Sequence, residues 1–494
     1  MEAKLLSVFL LFFIPALGGL LFGYDIGSTS YAVAQLQDET YSGTNWSSTA
    51  STPLIKGLLT TATTAGAFLG SIIVFTVADT IGRKRELQIG SSLYILGAIG
   101  MYASTTITDS TPAIVALSIT RLIYGFGIAF SMHGAPTYIA EMSPSDWRGF
   151  LVSLKEAFIV VGILAGYAIG YVLENTEGGW KYVWSASLLV SIPQFMLLFL
   201  LPKSSRFLLL TGENDEALDS ISWVFKGDVR DLYEEVKGQV DKQKEREQLS
   251  GESTSIFATK WRGALTAGVG LVVLQQVTGQ PSILSYATPI LDSAGLESYS
   301  SVLVGAFKIF ATMFAVLYVD SYGRRKLLFI GNALMLVALI TLTVTFFFGD
   351  DDSSSDDDSD EGLGPRQVIT LIGMFVYIGG YQVGFGPIAW LMISECFPLE
   401  IRGQAVAFAV QMNFFWNMIV QFLVPVIQDS IGNVAMFGIF SGLTAFSIWF
   451  VNGYVPETKG LSLEEIEKFF EKQHREKSGK GKNTPEQPLL SQIV

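Results

Sequence analysis

Residues 79–85 read Asp-Thr-Ile-Gly-Arg-Lys-Arg, and residues 320–326 read Asp-Ser-Tyr-Gly-Arg-Arg-Lys. Each copy follows directly on a long apolar segment. In both copies an aspartate comes first, a glycine that permits a tight turn stands fourth, and basic residues follow. The repeat predicts a protein built from two similar halves.

A second pair of motifs recurs in the same way. Glu141 is followed seven residues later by Arg148, and Glu395 is followed seven residues later by Arg402. Counted from the aspartate of each charged loop, the first glutamate lies 62 residues on and the second lies 75 residues on. The acidic run at 350–361 accounts for the difference, so the two halves match once that insertion is removed.

The composition is that of a membrane protein. Of the 494 residues, 50% are hydrophobic and 16% are charged, and the mean hydropathy is +0.42. A spanning helix needs about 20 mostly apolar residues, and the many glycines inside the apolar stretches favour close helix packing in lipid. We predict twelve spans, at 5–33, 55–79, 87–106, 112–140, 149–173, 182–201, 262–292, 300–320, 327–348, 367–394, 404–428 and 433–454.

A polar stretch with an amphipathic helix over 217–240 separates the sixth span from the seventh. We therefore predict four parts. They are an N-terminal six-helix half at 1–202, a cytoplasmic helical linker at 203–260, a C-terminal six-helix half at 261–455 and a cytoplasmic tail at 456–494.

The orientation follows from the basic residues in short loops. Lys and Arg collect after the second, fourth, eighth and tenth spans, which predicts that this side is cytoplasmic. The opposite side carries a glycosylation sequon at Asn45 and the acidic run at 350–361. We expect both termini to be cytoplasmic and the first apolar stretch to be retained as a span, not cleaved as a signal peptide.

Several classes of function are excluded by what the sequence offers. One cysteine, Cys396, and two histidines, His133 and His474, are too few for an intramolecular disulfide or an ordinary zinc site. Neither a catalytic constellation nor a nucleotide-binding loop is present, so we expect no cofactor, no metal and no enzymatic activity. The net charge of −13 comes partly from the run at 350–361, and we expect no nucleic-acid partner.

With these motifs, the chain resembles the sugar porters of the major facilitator superfamily from end to end. The family's terminal signature is matched by Pro456-Glu457-Thr458-Lys459-Gly460, whereas its Pro-Glu-Ser-Pro-Arg motif after the sixth span has become Pro202-Lys-Ser-Ser-Arg206. The resemblance implies an all-α membrane protein with twelve transmembrane helices in two pseudo-symmetric six-helix halves. It also implies a monomer that binds its substrate between the halves and works by alternating access.

The resemblance assigns the repeated charged residues to a gate that closes the cytoplasmic side. A carboxylate, a glycine turn and guanidinium groups can bridge helix ends in one conformational state. The alternative is that the basic residues only set the topology. The gate would comprise Asp79, Arg83, Glu141, Arg148, Asp320, Arg324, Glu395 and Arg402.

Asp25 lies inside the first apolar span, where an ionisable residue is costly and is a functional candidate. The resemblance implies proton coupling, because bacterial xylose-proton carriers of the family have an aspartate here and facilitative animal glucose carriers have a neutral residue. Arg121 matches the family's fourth-span arginine and would hold Asp25 ionised. The alternative is a static ion pair in a facilitative uniporter.

Sugar recognition requires amides and hydroxyls beside aromatic faces. Gln275 and Gln276 supply adjacent amides in the seventh span, and they match the family's sugar-binding pair. By the same resemblance, further sugar contacts are expected at or beside Tyr286, Tyr381, Gly386, Trp390, Asn413 and Asn417.

Two charged residues depart from the family pattern. Glu156 replaces a fifth-span glutamine and Lys308 replaces an eighth-span asparagine, while Pro281 stands at a seventh-span asparagine position. The fifth and eighth spans face each other in this superfamily, so Glu156 and Lys308 are predicted to pair. Such a pair could contact sugar, carry the proton or lock one state. Similar residues occur in plant vacuolar glucose and plastid sugar carriers, some of which resemble antiporters, so the direction of coupling stays open.

The sequence therefore predicts a proton-coupled transporter of monosaccharides, with glucose or xylose first among them, in the plasma membrane or a vacuolar or other endomembrane. A weak dileucine-type sorting sequence at 486–490 favours the endomembrane. The alternatives are a facilitative uniporter and a transporter-like sugar sensor, against which the short tail argues. We interpret His133 as a packed imidazole.

Overall fold

A computed structural model describes residues 3–249, 256–258, 261–349, 364–397, 399–459, 465–466 and 470. The acidic run at 350–361 and the sorting sequence at 486–490 lie outside these ranges. Contacts divide the chain into two compact units, Met1–Ser253 and Thr254–Val494. The four-part division predicted from the sequence stays a prediction.

The described part of the first unit is helical, and four of its helices are apolar and 29 or more residues long. Pro53 begins the third helix, where its missing N–H costs nothing. Gly82, with φ of +77°, separates the third helix from the fourth. The helices are α1 (Leu5–Gln37), α2 (Ser47–Ala50), α3 (Pro53–Ile81), α4 (Arg83–Ala103), α5 (Ser110–Met142), α6 (Ser145–Leu173), α7 (Gly179–Ser185), α8 (Leu188–Leu197), α9 (Ser205–Thr211), α10 (Asn214–Val224) and α11 (Arg230–Leu249).

The second unit is also helical. Its final helix is two helices joined at Gly432, where φ is +80°. The helices of this unit are α12 (Arg262–Val277), α13 (Gln280–Ser285), α14 (Ala287–Asp292), α15 (Tyr299–Tyr322), α16 (Arg324–Gly349), α17 (Pro365–Val383), α18 (Phe385–Cys396) and α19 (Leu399–Tyr454).

All twelve predicted spans coincide with helices. By length and composition, eight helical segments of the described ranges are suited to cross a membrane, and the last, Ile401–Tyr454, contains two predicted spans. Three more predicted spans coincide with α4, with α12 to α14 and with α15. Helix α4 is not among the eight segments because its first four residues, Arg-Lys-Arg-Glu, are all charged.

Four predicted helices are interrupted, and in two of them a glycine with a positive φ marks a break. The span predicted as continuous over 262–292 is broken after Val277 by Gly279, whose φ is +94°, and α13 restarts with Pro281 in its first turn. The amphipathic helix predicted over 217–240 is divided into α10 and α11 around Gly227, whose φ is +84°.

Within the first unit, helix α10 is bonded to the N-terminal segment. The Lys4 backbone N–H donates to the Val224 carbonyl over 2.8 Å, and the Lys4 ammonium donates to the Ser222 carbonyl over 2.7 Å. Within the linker, Leu208 and Leu209 of α9 form a buried cluster with Ala217. These contacts hold α10 against both the N-terminal segment and α9.

Helices α1 and α6 cross at very close range because both carry glycines four residues apart. A Cβ on Gly23 would overlap the Ile159 carbonyl group, and one on Gly162 would overlap the Leu20 carbonyl oxygen. Small residues at such spacing let two backbones approach closely in membranes. Asp25, two residues from Gly23, is therefore held on a tightly packed helix.

We expect Gly23→Ala to destabilise the protein by about 1–3 kcal/mol or more, because the overlapping atoms are backbone and cannot move aside. Thermal unfolding in detergent would show a lower Tm. Gly442→Ala is the matched control, since a Cβ there meets nothing within 4 Å. Equal Tm values for the two variants would contradict the proposed close crossing.

Candidate functional site

Asp25 and Arg121 form an ion pair inside the first unit. The Asp25 carboxylate on α1 lies 3.2 Å from Arg121 Nη1 on α5. Arg121 is fully buried, and Asp25 is 8% exposed. A carboxylate and a guanidinium at this depth are each costly alone, so the charge of one depends on the charge of the other.

Arg121 has further partners that do not involve Asp25. Its Nε donates to the Leu59 carbonyl over 2.7 Å, and its Nη2 donates to the Thr29 hydroxyl over 3.0 Å. The guanidinium carbon lies 4.5 Å from the centre of the Trp184 ring, which is cation–π range. Arg121 is thus held in place by groups whose charge does not change.

The predicted amide cluster is present in the second unit. Asn417 Nδ2 donates to Gln276 Oε1 over 2.9 Å, and Asn413 Nδ2 approaches Gln275 Oε1 at 3.5 Å. Gln275 Nε2 also donates to the Phe385 carbonyl over 3.1 Å. Asn417 Oδ1 is buried without a hydrogen-bond partner among the described residues, so it is an acceptor that a hydroxyl can satisfy.

Lys308 on α15 lies in a polar chain with two residues that the sequence analysis did not select. Its ammonium donates to Gln382 Oε1 over 2.9 Å, and Gln382 Nε2 donates to the Thr312 hydroxyl over 2.6 Å. The ammonium also lies 5.6 Å from the centre of the Tyr381 ring. Lys308 is 5% exposed, so these contacts replace much of its hydration.

Three other predicted sugar contacts lie in the same unit, Tyr286 between α13 and α14 and the other two on α18. The Tyr286 hydroxyl donates to the Gln421 carbonyl over 3.2 Å. Gly386 and Trp390 are half-buried and one helical turn apart on α18, and a Cβ on Gly386 would lie 3.7 Å from the Gln382 amide.

Glu156 on α6 belongs to the first unit. Its side chain is 47% exposed and its carboxylate lies 3.4 Å from the ammonium of Lys155, which is buried. Glu156 and Lys308 therefore each have a partner within their own unit, and their pairing stays a prediction.

The gate residues of the first unit meet at the ends of α3 to α5. Arg83 Nη2 lies 2.9 Å from Asp79, and Arg83 Nε lies 3.3 Å from Glu141. The Ser204 hydroxyl donates to the other oxygen of Glu141. Arg148, predicted to join them, is exposed.

The gate residues of the second unit repeat this arrangement. Arg324 Nη2 lies 3.0 Å from Glu395, and the Thr458 hydroxyl donates to the other oxygen of Glu395 over 2.5 Å. Arg402 donates to the Phe397 carbonyl over 3.1 and 3.0 Å, so it braces the end of α18. The side chain of Asp320 lies outside the described part of the chain.

The two predicted gates also differ at the position of Glu457. In the second unit the Glu457 carboxylate accepts the backbone N–H groups of Arg324 and Arg325 over 3.0 and 3.2 Å, at the N-terminus of α16. The corresponding residue of the first unit is Lys203, which donates to Glu213 and Glu216 over 2.9 Å each. Hydrogen bonds from Lys203 to Glu216 and Glu213 raise the pKa of Lys203.

Glu457→Gln is expected to weaken the second gate by about 1–2 kcal/mol, because a charged cap at a helix N-terminus becomes neutral. The measurement is the Tm in detergent together with the rate of sugar exchange. Glu297→Gln, at an exposed position of the same unit, is the control. If both variants match the parent protein, Glu457 has no role in stabilising the closed gate.

Sequence reasoning missed several polar residues inside the spans. Thr29 and Trp184 position Arg121, and Gln382 positions Lys308. Gln280 Nε2 and Ser282 Oγ, at the break in the seventh span, are buried without hydrogen-bond partners in the ranges described. Their only sequence signal is a neutral polar residue in an apolar stretch, which many packed residues share.

His133 is not simply a packed imidazole. Its Nδ1 lies 2.5 Å from the Glu86 carboxylate, so it has a specific ionisable partner. In the described ranges no three His, Cys, Asp or Glu side chains are grouped so that they could hold a metal ion.

Comparisons with known proteins agree with the repeat and with the fold. The model of the sugar (and other) transporter family matches residues 11–470. A protein of Arabidopsis thaliana named D-xylose-proton symporter-like 3, chloroplastic, is 41% identical over 93% of this chain and 82% of that protein. A D-xylose transporter of Levilactobacillus brevis is 32% identical over 92% of this chain and 94% of that protein.

Among solved structures, the inward-open xylose transporter XylE from E. coli matches with a TM-score of 0.76 and 25% identity, over 94% of this chain and 99% of that one. The expected major facilitator fold is therefore confirmed. The family model covers residues 11–470, which include all of the predicted spans except the first six residues of the first. This chain is therefore a multi-pass membrane transporter that belongs to the sugar transporter family.

Proposed function

We propose that this protein is a proton-coupled monosaccharide transporter that works by alternating access. The proposal of proton coupling rests on the ion pair of Asp25 and Arg121, whose side chains lie 3.2 Å apart at a buried position of the first unit. Relatives named as xylose-proton symporter-like and xylose transporters support the same function.

Asp25 is the proposed proton carrier. When it is ionised, its charge balances that of Arg121, and the pair costs less than either charge alone. When it takes a proton, Arg121 still has Leu59, Thr29 and Trp184 as partners and stays in position. The protonated acid can then leave the guanidinium without stranding a bare carboxylate, which lets α1 change its position between states.

The amide cluster of the second unit is the proposed sugar site. Sugar hydroxyls both donate and accept hydrogen bonds, and Gln275, Gln276 and Asn417 supply both functions within a buried region. The free Asn417 Oδ1 can accept from one hydroxyl. Trp390 supplies an aromatic face for the apolar side of a sugar ring, and Tyr286, Tyr381, Gly386 and Asn413 complete the proposed contacts.

Lys308 is proposed to contact the sugar through the chain that it forms with Gln382 and Thr312. Pairing of Lys308 with Glu156 across the halves is a separate proposal. If Glu156→Gln and Lys308→Asn each leave sugar affinity and proton dependence unchanged in proteoliposomes, neither role holds.

The two charged clusters are proposed to act as the cytoplasmic gate. Each holds an arginine against a glutamate whose second oxygen accepts from Ser204 or Thr458. Breaking such contacts and remaking them is a two-state change, as alternating access requires.

The proposed substrates are hexoses and pentoses, with glucose and xylose first, and the proposed form is a monomer in the plasma membrane or an endomembrane. Asn45 is exposed in the loop after α1, as a glycosylated residue must be.

A panel of labelled monosaccharides offered to proteoliposomes, with and without an imposed pH gradient, tests the function. We expect uptake of at least one hexose or pentose that the pH gradient drives above its equilibrium level. Uptake that only equilibrates would indicate a uniporter, and binding without uptake would indicate a sensor. Either result would contradict the proposal.

A further inference from the structure

Glu86 and His133 form a second buried titratable pair, which the proposed coupling does not use. Glu86 lies at the start of α4 and His133 lies on α5. The Glu86 Oε1 and His133 Nδ1 atoms are 2.5 Å apart, a distance at which a proton is shared in a strong hydrogen bond. The imidazole is packed edge-on against Phe75 of α3, with ring centres 4.6 Å apart.

The Glu86 carboxylate occupies a closed space. Its side chain is fully buried, and its Oε2 has no hydrogen-bond partner among the described residues. The space exists because residue 134 is glycine: a Cβ there would lie 3.1 Å from Glu86 Cδ and 3.2 Å from Oε1. The His133 side chain is 17% exposed, so the imidazole is the part of the pair that reaches the protein surface.

The charged groups around this pair are those of the first gate. Arg83 on α4 and Glu141 on α5 act electrostatically on Glu86. Asp79 at the end of α3 is exposed and paired with Arg83. The pair therefore lies beside the gate, and its own charge acts on the guanidinium that the gate uses.

We propose that Glu86 and His133 form a proton-binding site distinct from Asp25, and that this second site makes the gate sensitive to pH. With one proton the pair has no net charge, as either neutral acid and neutral imidazole or carboxylate and imidazolium. A second proton gives the pair a net positive charge, which repels Arg83. Loss of the shared proton gives a net negative charge, which competes with Glu141 for Arg83.

This site goes beyond the proposed transport cycle, because its proton need not cross the membrane. Asp25 lies on α1 and is paired with Arg121, whereas Glu86 and His133 join α4 to α5 beside Arg83. The coupled proton sets whether sugar accumulates. The proton of the Glu86–His133 pair sets how fast the gate opens at a given pH.

The composition allows a direct test, because the chain has two histidines. In a His474→Gln background, His133 is the only remaining histidine, and its ring nitrogens can be followed by NMR of ¹⁵N-histidine-labelled protein. We expect Glu86→Gln to change the ring nitrogen shifts and their dependence on pH, because it removes the carboxylate that contacts Nδ1. Ring shifts that Glu86→Gln leaves unchanged at every pH would overturn the proposal.

Sugar exchange at equal pH on both sides is the second measurement, since no gradient is present to drive coupling. In an Asp25→Asn background, the remaining pH dependence of exchange should disappear with His133→Asn and should change with Glu86→Gln, which leaves the imidazole without its carboxylate partner. In the Asp25-containing protein, the same two variants should still accumulate sugar in a pH gradient. A pH profile of exchange that neither variant changes would overturn the proposed pH-sensitive site. Failure of the unmodified protein to accumulate sugar would instead overturn the proposed coupled transport, and the NMR result could still be interpreted.

Discussion

Asp25→Asn is expected to abolish pH-driven accumulation of sugar while leaving sugar-for-sugar exchange intact. Asparagine has nearly the shape of the protonated acid and is neutral at every pH. Arg121 keeps its bonds to Leu59 and Thr29, so the site should not collapse. One pH unit is worth about 1.4 kcal/mol per proton, or about tenfold accumulation for one proton per sugar. The variant should reach a ratio of about 1.

Asp38→Asn is the matched control for this substitution. Asp38 follows the same helix and is exposed, and its carboxylate accepts the Thr40 backbone N–H over 2.7 Å. We expect Asp38→Asn to accumulate sugar as the parent protein does. If Asp25→Asn also accumulates sugar in a pH gradient, Asp25 does not carry the proton.

Gln276→Leu is expected to weaken sugar binding by roughly ten- to hundredfold. The substitution removes an amide from a buried cluster and leaves the Asn417 donor without its acceptor. A lost hydrogen bond costs about 0.5–1.5 kcal/mol and an unsatisfied buried donor costs about 1–3 kcal/mol, and every 1.4 kcal/mol is about tenfold in Kd. Equilibrium binding of the sugar identified by the uptake panel measures the effect.

Gln428→Leu is the control for that experiment. Gln428 is half-buried on α19, the helix that also carries Asn417, but its Nε2 donates to Asn433 over 2.9 Å and not to the amide cluster. We expect its sugar affinity to be unchanged. Similar Kd values for Gln276→Leu and the parent protein would place the sugar elsewhere.

The helical architecture was predictable because the membrane imposes long apolar stretches and the gate motifs mark equivalent points of the two halves. The interruptions of the predicted helices were harder to predict from the sequence. Gly279 and Pro281 stand within an apolar stretch, where hydropathy alone predicts continuity, and Gly227 stands within an amphipathic pattern. Each of these two breaks includes a glycine with a positive φ.

Part of the site could be predicted because buried charge is rare and therefore informative. Asp25 and Arg121 stand out in apolar spans, and the structure brings them together. Thr29 and Trp184 could not be selected, because their contacts with Arg121 depend on how α1, α5 and α7 are rotated. Neutral polar residues and aromatics in such helices serve many roles.

The burial of Glu86 was hidden by its charged neighbours in the sequence. It directly follows the basic residues of the first gate loop, where a carboxylate reads as part of a solvated charged turn. The structure places it fully buried against His133. A local charge pattern does not reveal which face of α4 turns inward.

The central claim, coupling of sugar to protons through Asp25, is tested most directly by proton movement in proteoliposomes that enclose a pH-sensitive dye. Sugar added to one side, with no initial pH gradient, should flow down its gradient and change the internal pH, and the sign of that change distinguishes symport from antiport. Asp25→Asn should exchange sugar and leave the internal pH constant. Sugar flux through the parent protein with no change in internal pH would contradict the account.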